Sequence, residues 1–106
     1  MGWIYLLLAG VFEIGFTTSM RYIDWSMRPW PIIVFLISST LSFGFLIAAM
    51  QTVPLGTSYA VWTGIGAIGT ALIGVFWYAE PAGTMRLVFL FLLIASIVGL
   101  KLVSAD

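Results

Sequence analysis

The sequence of 106 residues contains neither cysteine nor histidine, and only 8% of its residues are charged. Without cysteine there is no disulfide and no thiol nucleophile, and without either residue the usual zinc sites are excluded. Four basic and four acidic residues cancel, so the chain lacks the positive charge that nucleic-acid binding requires. We therefore expect neither a metal site nor a nucleic-acid partner.

Hydrophobic residues are abundant instead and make up 62% of the chain. A soluble domain is about 45–50% apolar and about 25% charged. Because small domains bury the smallest fraction of their surface, a soluble monomer of this size has no core large enough for so many apolar side chains. The composition predicts a protein that is surrounded by lipid.

The positions of the charges divide the chain into membrane spans. No formally charged residue lies between Arg28 and Glu80, and a spanning helix needs about 20 residues, so this stretch holds two spans. Pro54 predicts the break between them at residues 51–54, since proline disfavours helix in the residue before it. We predict a single all-α membrane domain, residues 1–106, with four transmembrane helices at residues 3–21, 30–50, 55–78 and 85–103.

Two other interpretations of the hydrophobic runs fit less well. A signal peptide has a positive n-region and an unbroken apolar segment, whereas the first run has no basic side chain before it and is interrupted by Glu13. The strands of a membrane β-barrel alternate apolar and polar residues, whereas these runs are continuous. We therefore expect a multi-pass helical membrane protein.

The orientation in the membrane follows from the basic residues near the span ends. Arg21, Arg28 and Arg86 lie in or next to the first and third loops, and Lys101 lies on the opposite side. This weak bias permits a fixed orientation with those two loops in the cytoplasm, and it also permits a chain that inserts both ways.

Glu13 lies near the centre of the first span, where an acidic side chain costs a few kcal/mol. Its carboxyl group is neutral or charged depending on what lies next to it. We interpret Glu13 as a site that binds a proton or a cation, one at a time. The alternative is a protonated carboxyl group that only hydrogen-bonds a neighbouring helix. Glu80 and Asp106 are expected to be solvated surface charges.

Several residues near Glu13 could line the same site. Gly10, Phe16 and Thr17 share its helix face and offer room for a ligand or a partner helix, an aromatic surface and a hydroxyl group. Aromatic residues of the third span can donate hydrogen bonds to a carboxylate and attract cations, although an interfacial aromatic belt is an alternative for them. The predicted lining residues are Gly10, Phe16, Thr17, Ser42, Tyr59, Trp62 and Thr63.

The third span contains a G-x-G-x-x-G pattern at residues 64–69. A dinucleotide site needs a preceding strand and a βαβ unit, for which a membrane span has no room, so we expect no cofactor. Small residues in a span allow helices to approach closely, and adjacent glycines weaken a helix, so Gly64 and Gly66 predict a bend that gates the site. In the fourth span, Ala95 and Gly99 form a small-xxx-small pair that predicts helix association.

Four helices with one buried carboxylate are too few to shield a water-filled path from lipid, so we expect at least a dimer with two copies of Glu13. Transporters often relate two similar halves by inverted topology, and a chain that inserts both ways supplies both halves. Because protons neutralise the carboxylates that a cation requires, a proton gradient would drive cation efflux. The pattern predicts a transporter and no enzyme.

The chain resembles the small multidrug resistance family, and within it the guanidinium exporters more than the quaternary-ammonium exporters. The family likeness is carried by residues 54–67, by Gly10 with Phe12-Glu13, and by the terminal residues 99–101, and it covers essentially the whole chain. The branch likeness is carried by residues 63–67, 79–81 and 99–101. This resemblance implies an antiparallel, proton-coupled dimer in the inner membrane, with Glu13 as the shared proton and substrate site. It also implies that Ser42, Tyr59 and Trp62 orient or cover that carboxylate.

Residues of the first span depart from the guanidinium-exporter pattern. That branch usually carries tryptophan at the position of Phe16 and lysine at the position of Arg21, and Thr17-Thr18 is more similar to the quaternary-ammonium branch. These departures leave the substrate open between guanidinyl cations and hydrophobic quaternary ammonium cations. They also leave open whether the partner is a second copy or a related, unlike subunit. An assembly subunit, in which Glu13 only locks helices together, and a passive channel are further alternatives.

Overall fold

The computed structural model describes residues 1–24, 26 and 28–104, and Asp106 lies outside them. These residues form four α-helices and no strand, which confirms the predicted all-α fold. All four are long and apolar enough to cross a membrane, and each end lies within one residue of the predicted span. The helices are α1 Gly2–Met20, α2 Pro29–Ala49, α3 Leu55–Trp77 and α4 Thr84–Val103.

Prolines mark where α2 and α3 begin. Pro29 is the first residue of α2, a position where the missing N–H has no intrahelical partner to lose. Pro54 precedes α3, and its carbonyl oxygen accepts a hydrogen bond from the N–H of Ser58 at 2.8 Å. The turn between α2 and α3 packs against the start of α1, where Gly2 lies in contact with Thr52 and Val53.

Helix α1 lies at the centre of the bundle and packs against both α2 and α3, whereas α4 packs mainly against α3 and reaches α1 through Lys101, whose Nζ lies 5.3 Å from the centre of the Trp3 ring. The contacts between α1, α2 and α3 form the core, and α4 contributes no buried residue. The buried hydrophobic side chains are those of Leu6, Ala9, Leu46, Ala49, Val53, Val61 and Trp62.

The loop after α1 is organised around Asp24. Its carboxylate accepts hydrogen bonds from the side chain and backbone N–H of Ser26 and from Arg28 Nη2 at 3.0 Å. The hydroxyl group of Ser26, followed by its backbone N–H, holds the pKa of Asp24 below its usual value. Asp24 is therefore an ionised surface residue near neutral pH.

The end of α1 is also connected to the end of α3. The hydroxyl groups of Tyr22 and Tyr78 are hydrogen-bonded to each other. The guanidinium group of Arg21 lies 3.8 Å from the centre of the Tyr78 ring, a cation–π contact. These contacts join the start of the loop after α1 to the start of the loop after α3, which contains Glu80.

Candidate functional site

The carboxyl group of Glu13 is buried between α1 and α3, and the residue is only 9% exposed. It lies directly against Gly66, where the methyl group of an alanine would collide with it. Its Oε1 atom is buried and accepts no hydrogen bond from the residues that the structure describes. Because an unpaired buried acceptor carries the full cost of its desolvation, we expect this atom to bind a proton or a ligand.

Glu13 lines a pocket of about 390 Å³ between α1 and α3. Two of the predicted lining residues, Thr17 and Thr63, lie in this pocket. The Thr17 hydroxyl oxygen is 2.6 Å from that of Thr70 and 2.9 Å from the carbonyl oxygen of Glu13. The pocket therefore contains polar groups as well as the carboxylate. Its full lining is Glu13, Thr17, Thr63, Gly66, Ala67, Thr70, Ala71 and Glu80.

Sequence reasoning missed Thr70 and Glu80 as lining residues. Glu80 is exposed, as expected for a surface charge, but it also borders the pocket that contains Glu13. Thr70 follows Gly66 by four residues and shares a helix face with it, so helical spacing in the third span could have found it. Nothing local in the sequence indicates that the chain after α3 returns to the pocket.

Ser42 and Trp62 form a hydrogen-bonded link between three helices. Ser42 Oγ donates to the carbonyl oxygen of Ala9 at 2.6 Å, and Trp62 Nε1 donates to Ser42 Oγ at 2.9 Å. Each side chain has a single donor, and both donors are used here, so neither donates to Glu13 in this structure. Because Ala9 precedes Glu13 by one helical turn, the link fixes the backbone of α1 next to the carboxylate.

The aromatic residues near the site form a continuous row of ring contacts. The ring centre of Phe43 lies 6.1 Å from that of Phe16 and 5.4 Å from that of Trp62, and Tyr59 lies 5.7 Å from Trp62. Tyr59 remains 57% exposed. Phe43 joins two of the predicted aromatic residues, Phe16 and Trp62, but a phenylalanine within an apolar span carries no sequence signal that would distinguish it.

Glycines produce the close contacts of α3 with its neighbours. The space next to Gly10 is filled by Ile65 of α3, so a partner helix rather than a pocket occupies it in this structure. Gly64 similarly contacts Ile97 of α4. Helix α3 is continuous from Leu55 to Trp77, and the bend proposed for Gly64 and Gly66 stays a prediction about motion.

The small residues of α4 make no comparable contact within the chain. Ala95 is exposed, and no other side chain lies within 4 Å of the position that a Cβ atom at Gly99 would occupy. This face of α4 is therefore free of contacts with the other described helices, and the predicted role of both residues in dimer packing stays a prediction.

Comparisons with known proteins agree over nearly the whole chain. A family model described as Small Multidrug Resistance protein matches residues 1–93. A probable guanidinium efflux system subunit of Bacillus licheniformis, GdnD, is 44% identical over 104 residues, which cover 98% of this chain and 100% of the relative. A guanidinium exporter of Salmonella typhimurium is 42% identical over 96% of this chain and 97% of the relative. An uncharacterized membrane protein of Bacillus subtilis, YvdR, is 42% identical over the full length of both chains.

Proposed function

The chain belongs to the small multidrug resistance family and is a multi-pass membrane transporter, and we propose that it exports guanidinium or small substituted guanidinyl cations in exchange for protons. The family assignment confirms the resemblance carried by residues 54–67. The observation that carries the proposal is the buried Glu13 carboxyl group, whose Oε1 has no hydrogen-bond partner among the described residues. The names of the Bacillus licheniformis and Salmonella typhimurium relatives support guanidinium as the substrate.

Protons and cations compete for Glu13 in this proposal. A guanidinium ion is planar and makes paired hydrogen bonds with a carboxylate, as arginine does, and Thr17 and Thr63 provide further acceptors in the pocket. A proton on the carboxyl group removes the charge that holds the cation, and a bound cation favours the ionised form. If the pocket changes sides only with one of the two ligands bound, a proton gradient drives cation efflux.

The functional unit in this proposal is an antiparallel dimer in the inner membrane. A single bundle leaves α4 without one buried residue, and Ala95 and Gly99 on that helix suit close packing against a second copy. Two copies in opposite orientations give a transporter that opens to either side in turn. A heterodimer is the alternative, because one relative is named as a subunit of an efflux system and three of the four basic residues lie on the side of the first and third loops.

The row of aromatic contacts favours a second candidate substrate. Phe16, Phe43, Trp62 and Tyr59 present a continuous aromatic surface, and aromatic faces bind quaternary ammonium cations. Export of bulky hydrophobic cations would use this surface more than the threonine hydroxyl groups.

Currents from proteoliposomes on a solid-supported membrane test the proposal. We expect guanidinium to produce a current and tetraalkylammonium to produce none, and the opposite result would favour the second candidate. Glu13→Gln is expected to assemble normally and to abolish the current, because the amide has no charge to exchange. The matched control is Asp24→Asn, which removes a carboxylate outside the membrane. Proton-coupled flux in Glu13→Gln would refute the site, and flux that ignores a proton gradient would indicate a channel.

A further inference from the structure

Glu80 follows the end of α3 and returns along that helix. Its backbone N–H donates to the carbonyl oxygen of Gly74 at 3.0 Å, and its carboxyl group lies against Gly74, where the methyl group of an alanine would collide with it. Ala79 makes this reversal possible with a φ of 56°, a left-handed conformation that is unfavourable for residues other than glycine. The backbone therefore holds Glu80 next to α3.

The carboxyl groups of Glu80 and Glu13 both lie against one stripe of residues on α3. Three residues of this stripe are spaced four apart along the helix and so share one face: Gly66, Thr70 and Gly74. The carboxyl group of Glu13 lies against the first and that of Glu80 against the third, and the hydroxyl oxygen of Thr17 is 2.6 Å from that of Thr70 between them. Polar groups therefore occur at each turn of α3, from the centre of the membrane to the end of the helix.

The carboxyl groups of Glu13 and Glu80 occupy separate positions in one pocket. Gly66 and Gly74 are eight residues apart, which is about 12 Å along the helix axis, too far for one guanidinium ion to contact both carboxylates. Both arginines near this end make other contacts: Arg21 lies over the Tyr78 ring, and Arg86 Nη1 donates to the carbonyl oxygen of Pro81 at 2.8 Å. Within the described part of the chain, no salt bridge involves Glu80.

We propose that Glu80 is a second cation-binding residue at the mouth of the pocket, which captures a small organic cation before the cation passes Thr17 and Thr70 to reach Glu13. The inference rests on the proposed export of guanidinium and adds a residue to that pathway. The unpartnered Oε1 of Glu13 is the inner position at which the cation binds. Glu13 and Glu80 line the same pocket. An exposed carboxylate at the mouth raises the local concentration of cations, and salt screens this effect.

The test is the concentration dependence of guanidinium currents in Glu80→Gln. We expect the KM to rise about two- to fivefold at low ionic strength, which is the upper part of the range for an exposed ion pair, with the current at saturating guanidinium largely retained. In about 1 M salt, where the Debye length is about 3 Å, the difference from the unmodified protein should disappear. Glu80→Asp, which keeps the charge, should restore most of the apparent affinity.

Two further variants separate position from charge. Gly74→Ala keeps the carboxylate but displaces it from α3, so it should raise the KM as Glu80→Gln does. Asp24→Asn removes one negative charge from the loop after α1 and should leave the KM unchanged. An unchanged KM in Glu80→Gln, or an equal rise in Asp24→Asn, would overturn the role of Glu80. Either result can occur while the current still requires Glu13, so the proposed function would stand without this inference.

Discussion

Helices α1 and α4 are both apolar, but α1 has buried residues at its centre and α4 has none. Helix α4 has a mean hydropathy of 2.3 and no buried residue, whereas α1 has a mean hydropathy of 1.4 and six buried residues. In water the more apolar helix would be expected inside. In lipid an apolar surface has no drive to leave its surroundings, and small or polar residues determine where helices meet.

The contacts between α1 and α3 place glycines of one helix against larger side chains of the other. Glycines of α3 lie against larger side chains of α1, with Gly66 against Glu13 and Gly69 against Ile14, and Gly10 of α1 lies against Ile65. By contrast, the glycine of α4, Gly99, has no neighbour within 4 Å of a Cβ position. The same substitution should therefore have different consequences in the two regions.

The largest effect is expected for Gly66→Ala. A methyl group at this position collides with the Glu13 carboxyl group, and overpacking costs about 1–3 kcal/mol, which corresponds to a loss of about 5- to 160-fold in guanidinium affinity. Equilibrium binding to the purified protein measures it. Gly56→Ala is the matched control in the same helix, because no atom lies within 4 Å of its Cβ position. Equal affinity in the two variants would contradict the placement of Glu13 against α3.

A smaller effect is expected on the α4 side for Gly99→Leu. A Cβ atom at this position would meet no other side chain within 4 Å, so we expect the fold of the single bundle to persist and the helical content by circular dichroism to stay unchanged. The proposed dimer should weaken about tenfold, near the lower end of the cost of overpacking, as measured by cross-linking at graded dilution in lipid. Gly99→Ala keeps the residue small and should preserve the dimer. An intact dimer in the leucine variant would exclude this face of α4 from the interface.

The smallest effect is expected for Trp62→Phe, which keeps an aromatic ring but removes the hydrogen bond to Ser42. One such bond contributes about 1 kcal/mol, so the protein should unfold at lower temperature or denaturant concentration, with only a modest loss of transport. Trp3→Phe is the matched control, because the Nε1 atom of Trp3 is buried without a partner in the described residues. If both variants lose equal stability, the link between Ser42 and Trp62 contributes little.

Much of the site could be predicted because helical spacing depends on position in the sequence alone. Thr17 shares a helix face with Glu13, and Thr63 is among the residues predicted to line the site, and all three line the same pocket. The hydrogen bonds could not be predicted in the same way. Ser42 and Trp62 are predicted to orient or cover the carboxylate, yet Ser42 donates to the carbonyl oxygen of Ala9 and Trp62 donates to Ser42. Which acceptor each donor reaches depends on the rotation of each helix about its axis.

Composition and spacing by themselves determined that this is a four-helix membrane protein, where its helices begin and end, and which carboxyl group is placed in the hydrocarbon, because hydropathy and proline act locally along the chain. Only the tertiary structure decided which glycine lies against Glu13, and that Glu80 returns to the same pocket. Such contacts join residues that are far apart in sequence, and they depend on how closely and at what rotation the helices approach.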